Sequence, residues 1–140
     1  MKNVKIKVNR QSVCMADDMT DHIKVYQLRD NATYKTLFHI LKKDKYFPNV
    51  AGHNSVWVLT NNHYHCIFSY FTKTNHLSMG IVEQKLKNIC QDSYDVYLQY
   101  YSSPKEWKKK IESMYEGDTY SLWRDGWLDE IKYCEYVMTL

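Results

Sequence analysis

Two short segments near the middle of the chain decide what it can fold into. Residues 55–60 read Ser-Val-Trp-Val-Leu-Thr and residues 64–71 read Tyr-His-Cys-Ile-Phe-Ser-Tyr-Phe. Both are rich in β-branched and aromatic side chains, which suit a pleated, packed surface. Asn61-Asn62-His63 between them is hairpin chemistry, because Asn tolerates positive φ. Residues 64–71 carry apolar side chains at successive positions rather than alternate ones, so both faces of that strand need cover. A central place in a sheet is therefore expected for it.

The flanking sequence supplies the rest of an α+β domain. Val4, Ile6 and Val8 alternate with Lys5, Lys7 and Asn9, a half-buried strand of period two. Residues 23–29 form a second strand. Asp30 or Asn31 then offers a helix N-cap. Tyr34, Leu37, Phe38 and Leu41 follow at helical spacing, and Lys42-Lys43 suit the negative end of the dipole. Tyr46-Phe47-Pro48 is extended, and residues 72–78 read as a polar loop. Val82, Leu86, Ile89 and Cys90 make one helical face, and Val96, Leu98 and Tyr100 a fifth strand.

Ser103-Pro104-Lys105-Glu106 is a helix start, with Ser as N-cap and Pro at the first position. Trp107, Ile111, Met114 and Tyr115 form its expected buried stripe, and Gly117 its stop. Residues 119–137 read as a last helix with Trp123, Trp127, Ile131 and Cys134 on one side. Asp125-Gly126 is placed to kink or split it, since Gly costs roughly 1 kcal/mol inside a helix. The order is ββαββαβαα: one domain over residues 1–140, about five strands in a mixed sheet, and three or four helices. The first half is compatible with a β-grasp-like sheet.

At 140 residues one core is expected, and 44% hydrophobic against 25% charged residues argues against disorder. Residues 1–47 hold ten Lys or Arg against five Asp; after Glu112 six acidic residues face only Arg124 and Lys132. The chain thus has a basic start and an acidic end. Its opening residues lack the apolar core of a secretory signal, and no apolar run reaches membrane-spanning length. Cys14, Cys66, Cys90 and Cys134 are widely spaced with no C-x-x-C pair, which fits free thiols in a cytoplasmic protein.

Four site chemistries compete. His63 and His65, two apart on a strand, share a face and suit a metal, with Cys66, His22 or an Asp from the long connector over residues 12–22. Cys14 and His22 have the residue types of a nucleophile and its base. Their neighbours are acidic, which raises a thiol pKa rather than lowering it. Lys2, Lys5, Lys7 and Arg10, joined by Lys42, Lys43 and Lys45, suit a nucleic-acid backbone, with Tyr side chains as stacking platforms. Finally, residues 12–22 form a connector longer than hairpins usually need. Asp17, Asp18, Asp21 and His22 crowd into it, and Asp125, Asp129 and Glu130 surround Trp127 in the tail. Carboxylates around aromatic anchors are what a basic protein partner meets well.

Ser12-Val13-Cys14-Met15-Ala16-Asp17-Asp18, with Tyr46-Phe47-Pro48 and Val56-Trp57-Val58, resembles the pattern of small uncharacterised bacterial proteins. In size and style the whole chain resembles the immunity proteins of contact-dependent inhibition and other polymorphic toxin systems. That resemblance implies a small cytoplasmic α+β domain that blocks a toxin domain, such as a nuclease, by direct binding. No catalysis, cofactor or metal is then expected. The partner-binding residues would be Asp17, Asp18, Asp21, His22, Asp125, Trp127, Asp129 and Glu130. A nucleic-acid-binding module using the basic first half is the alternative, and a small enzyme or metal site the second.

Overall fold

The computed structural model describes residues 3–11, 23–29, 31–44, 46–47, 54–61, 66–78 and 95–140. The strands are β1 (Asn3–Arg10), β2 (Lys24–Arg29), β3 (Val56–Asn61), β4 (Cys66–Phe71), β5 (His76–Leu77) and β6 (Asp95–Tyr101). The helices are α1 (Tyr34–Lys43), α2 (Pro104–Met114), α3 (Thr119–Arg124) and α4 (Trp127–Met138). The domain is α+β, as expected. The helix expected over 82–90 lies outside the described residues.

One mixed sheet runs in the order β2-β1-β6-β3-β4-β5. β1 and β2 are antiparallel, and β6 enters parallel to β1 while running antiparallel to β3. The opening hairpin, the crossing helix and a late strand inserted beside the first give the connectivity of a β-grasp-like sheet. Among the described residues the sheet has six strands rather than about five. The addition is β5, a two-residue strand within the expected polar loop, paired to Tyr70 and Phe71. The turn into it ends at Asn75 with φ of 53°, a conformation Asn tolerates better than most residues.

β4 is fully buried along its length and paired on both sides, yet β6 and β3 take the middle of the sheet. Its outer neighbour is only β5. At its start the Cys66 N–H donates instead to the Asp125 carbonyl, 3.2 Å away in the helical layer. A bulge opposite Leu59 and Thr60 leaves Ile67 as the extra residue, so Ile67 and Phe68 both join the same core.

The sheet separates two cores. On one side Leu37, Phe38 and Leu41 of α1 pack with Ile6, Val8, Trp57, Leu59, Phe68, Tyr70 and Leu98. Phe38 lies edge-on to Phe68 at 5.5 Å and to Tyr70 at 4.9 Å. On the other side Trp107, Ile111, Leu122, Trp127, Ile131 and Cys134 cover Val56, Val58, Cys66 and Phe71. Alternating residues of β3 thus feed different cores, which is why all six are buried.

Caps fix most helix boundaries. The α1 cap is Thr33, whose hydroxyl accepts from the Thr36 N–H, rather than Asp30 or Asn31. Thr33 directly precedes the apolar stripe, so its side chain reaches the unsatisfied donors of the first turn. Ser103 caps α2 as expected, with Pro104 at its start. Met114 is exposed rather than part of the α2 stripe, because the helix ends there and the chain turns away through Glu116 and Gly117, both at positive φ.

Residues 119–137 are two helices. Gly126 sits between them at φ +82°, and a Cβ there would stand 3.5 Å from the Cys66 carbonyl oxygen. Gly126→Ala should therefore destabilise the domain by about 1–2 kcal/mol, the cost of forcing an L side chain into the left-handed region. Gly126→Asn should lose less, because Asn visits that region more readily. Urea unfolding midpoints at constant m-value check both.

Candidate protein-contact surface

α3 is six residues long, too short to hold itself in water. It is anchored by one inward side chain, Leu122, and capped by Asp118. The Asp118 carboxylate accepts from the Ser121 N–H at 3.3 Å and the Ser121 hydroxyl at 2.7 Å. Those bonds hold its pKa below the usual carboxylate range.

Because Leu122 alone points inward, the other large side chains of α3 face out. Tyr120 is 65% exposed and Trp123 62% exposed, with ring centroids 5.9 Å apart. Indole and phenol rings left in water as a pair are unusual, whereas single exposed apolar residues are not. The exposed acids nearest to them in sequence are Glu116, Asp118 and Asp129, and Arg124 is held by Asp125 at 3.0 Å.

The expected site residues separate by depth. Trp127 is fully buried and Glu130 only 4% exposed, so neither meets a partner in this conformation. Asp125 is half-buried and committed to the fold, since it accepts from the Tyr115 hydroxyl at 2.6 Å and from Arg124. Asp129 alone of the tail set is exposed. Asp17, Asp18, Asp21 and His22 lie outside the described residues, as do Cys14, His63 and His65. Trp123, expected on the buried stripe, is the exposed anchor instead. The break at Gly126 resets the helical phase, so the four-residue step from Trp123 to Trp127 no longer keeps one face.

The described basic candidates are divided between the two faces of the sheet. Lys5 and Lys7 lie on the sheet face away from α1, whereas Arg10 lies on the α1 face, 5.9 Å from the centre of the Tyr46 ring. Lys42 is drawn over Tyr70 at 5.3 Å and donates to the Asn75 side chain. Lys2 and Lys45 fall outside the described residues.

Beneath α4 lies the main buried polar cluster among the described residues. Glu130 faces Ser69 and Ser78, which are locked together: the Ser69 N–H donates to the Ser78 hydroxyl, and the Ser78 N–H to the Ser69 carbonyl, both at 2.9 Å. Burial pushes the Glu130 carboxyl up to about 7, while the two hydroxyls draw it down and Asp129 raises it slightly. Burial also pushes the Cys66 thiol well up, with Glu130 adding to it, and carries Cys134 up to about 12. Both thiols are free and protonated at neutral pH, the opposite of a nucleophile's environment. Among the described residues no group of three His, Cys, Asp or Glu stands close enough to hold a metal, and no helix is long and apolar enough to cross a membrane.

No protein-family model matches the chain, and no curated protein or solved structure matches it either.

The Glu130 environment has a measurable consequence. Its carboxyl holds a proton to about pH 7 when folded but only to about 4.5 when unfolded. Between those values the folded state binds more protons, so stability falls as pH rises through that window. Glu130→Gln should flatten this slope and leave the variant more stable than the parent at pH 8, by up to about 3 kcal/mol. At pH 4 the two should be nearly equal. Denaturant titrations at pH 4, 6 and 8 make the comparison.

Proposed function

We propose that the chain is a protein-binding domain that meets a basic partner through α3. Tyr120 and Trp123 are the anchors, and Glu116, Asp118 and Asp129 form the acidic rim. The observation that carries this reading is the exposed Tyr120–Trp123 pair within the acidic end of the chain. Aromatic anchors dominate interface energies, and rim charges set association rate and orientation. Among protein-binding roles, an immunity-type inhibitor of a toxin domain in the bacterial cytoplasm fits best. A nuclease toxin needs a basic cleft for phosphate, and carboxylates compete for it. The acidic residues Asp17, Asp18 and Asp21 add to that complement by sequence. The nucleic-acid alternative is weakened by the division of Lys5, Lys7 and Arg10 between two faces of the sheet.

The test is co-expression with the product of the adjacent open reading frame, followed by binding kinetics on the purified pair. Tyr120→Ala with Trp123→Ala should weaken the complex roughly 30-fold or more, the loss typical of a hot spot. Stability of that double variant should stay within about 1 kcal/mol of the parent, because both side chains are mostly in water. Trp127→Ala, by contrast, should cost about 3–5 kcal/mol of folding stability. Charge reversal at Glu116 and Asp129 should slow association and reduce its salt dependence. Full binding by the Tyr120/Trp123 double variant would remove α3 from the interface.

A further inference from the structure

The two ends of the sheet are finished very differently. β5 ends one side with two residues. β2 ends the other with six residues, each in register with β1 from Lys24 opposite Val8 to Arg29 opposite Asn3. That register has no bulge, and the strand has no proline, so two common protections of an edge are missing. Val25 is 60% exposed and Ile23 43% exposed beside it. A strand of this length presents outward N–H and C=O groups to any extended chain that approaches.

Charge decides which chain that is. Lys5, Lys7 and Arg10 of β1 and Lys24 and Arg29 of β2 are joined by no carboxylate within residues 3–11 and 23–29. The nearest described acids are engaged: Asp44 accepts from the Tyr26 hydroxyl at 3.0 Å, and Asp95 pairs with Lys7 at 3.8 Å. A second copy of this chain is a poor occupant. Two-fold antiparallel pairing of two β2 strands sets Tyr26 opposite Tyr26 or Gln27 opposite Gln27, and it brings two edges of the same positive sign together. Carboxylates opposite Lys24 and Arg29 reverse the sign of that interaction.

The geometry points to the β2 edge as a strand-addition site for an extended acidic segment of another protein, with one acid opposite Lys24, another opposite Arg29 and β-branched residues between them. The acids meet Lys24 on one face of the sheet and Arg29 on the other, and an apolar residue covers Val25. This site lies on the sheet edge, apart from α3, and does not depend on the binding role proposed for α3.

The probe is a capped synthetic peptide of about eight residues with one Glu to meet Lys24, a second Glu to meet Arg29, Val to cover Val25 and Thr elsewhere, long enough to span β2 at roughly 3.3 Å per residue. Amide NMR spectra of the full chain should show saturable shifts confined to residues 23–29 and their β1 neighbours, with slowed hydrogen exchange of β2 amides. The same peptide with Lys in place of Glu should not bind. Lys24→Glu with Arg29→Glu should weaken the acidic peptide about tenfold and admit the basic one. Both positions are exposed, and a melting curve checks that the variant folds. If it does not fold, the comparison of the two peptides on the parent protein still decides. Equal binding of both peptides, shifts elsewhere, no binding at millimolar peptide, or dimerisation that protects β2 amides would each overturn the proposal.

Discussion

Every residue of β3 and β4 is buried, and no single layer of helices can bury both faces of a hairpin. From this follows the three-layer arrangement. One face of the hairpin takes Trp57, Leu59, Phe68 and Tyr70 to α1; the other takes Val56, Val58, Cys66 and Phe71 to the C-terminal helices. The polar atoms trapped between must then be satisfied locally. Ser69 and Ser78 do this for each other across the β4–β5 pair. Glu130, lowered onto the same spot by α4, is a costly group, and its burial raises its pKa.

Among the described residues, the C-terminal layer is tied to the sheet by a backbone junction at Asp125. The Asp125 carbonyl takes the Cys66 N–H, the Asp125 carboxylate takes the Tyr115 hydroxyl, and Gly126 allows the close approach. This junction does more than dock a helix. By interrupting the helical phase it turns Trp127 inward and leaves Trp123 outward with Tyr120. The buried indole and the exposed one are four residues apart, and the left-handed Gly126 between them determines which is core and which is surface. The candidate contact surface is thus a consequence of how the last helices are tied to β4.

The chain's uneven charge also acquires a geometry. The basic opening hairpin ends the sheet at β2, and acidic residues gather on α4 and in the turns on either side of α3. Ion pairs such as Lys7–Asp95 and Arg124–Asp125 neutralise part of this charge, but the excess of each sign lies on separate elements. Such separation favours oriented encounters with charged partners more than it adds stability.

Period and capping chemistry in the sequence determined the α+β class, the strands other than β5, the α1 face of Tyr34, Leu37, Phe38 and Leu41, and the Ser103-Pro104 start of α2. These are local signals: side-chain alternation and unsatisfied helix-end donors act over a few residues. The break at Asp125-Gly126 was legible for the same reason. The direction each side chain faces after that break was not. It depends on the left-handed turn at Gly126 and on the contact with Cys66, sixty residues earlier in the chain. Tertiary structure alone decided that Trp123 is exposed, that Trp127 and Glu130 are buried, and that β6 rather than β4 lies mid-sheet. It also decided that Lys7 and Arg10 part to opposite faces, because three residues along a strand reverse the side. Such outcomes rest on pairings between distant segments, where register and packing, not local composition, set the lowest free energy.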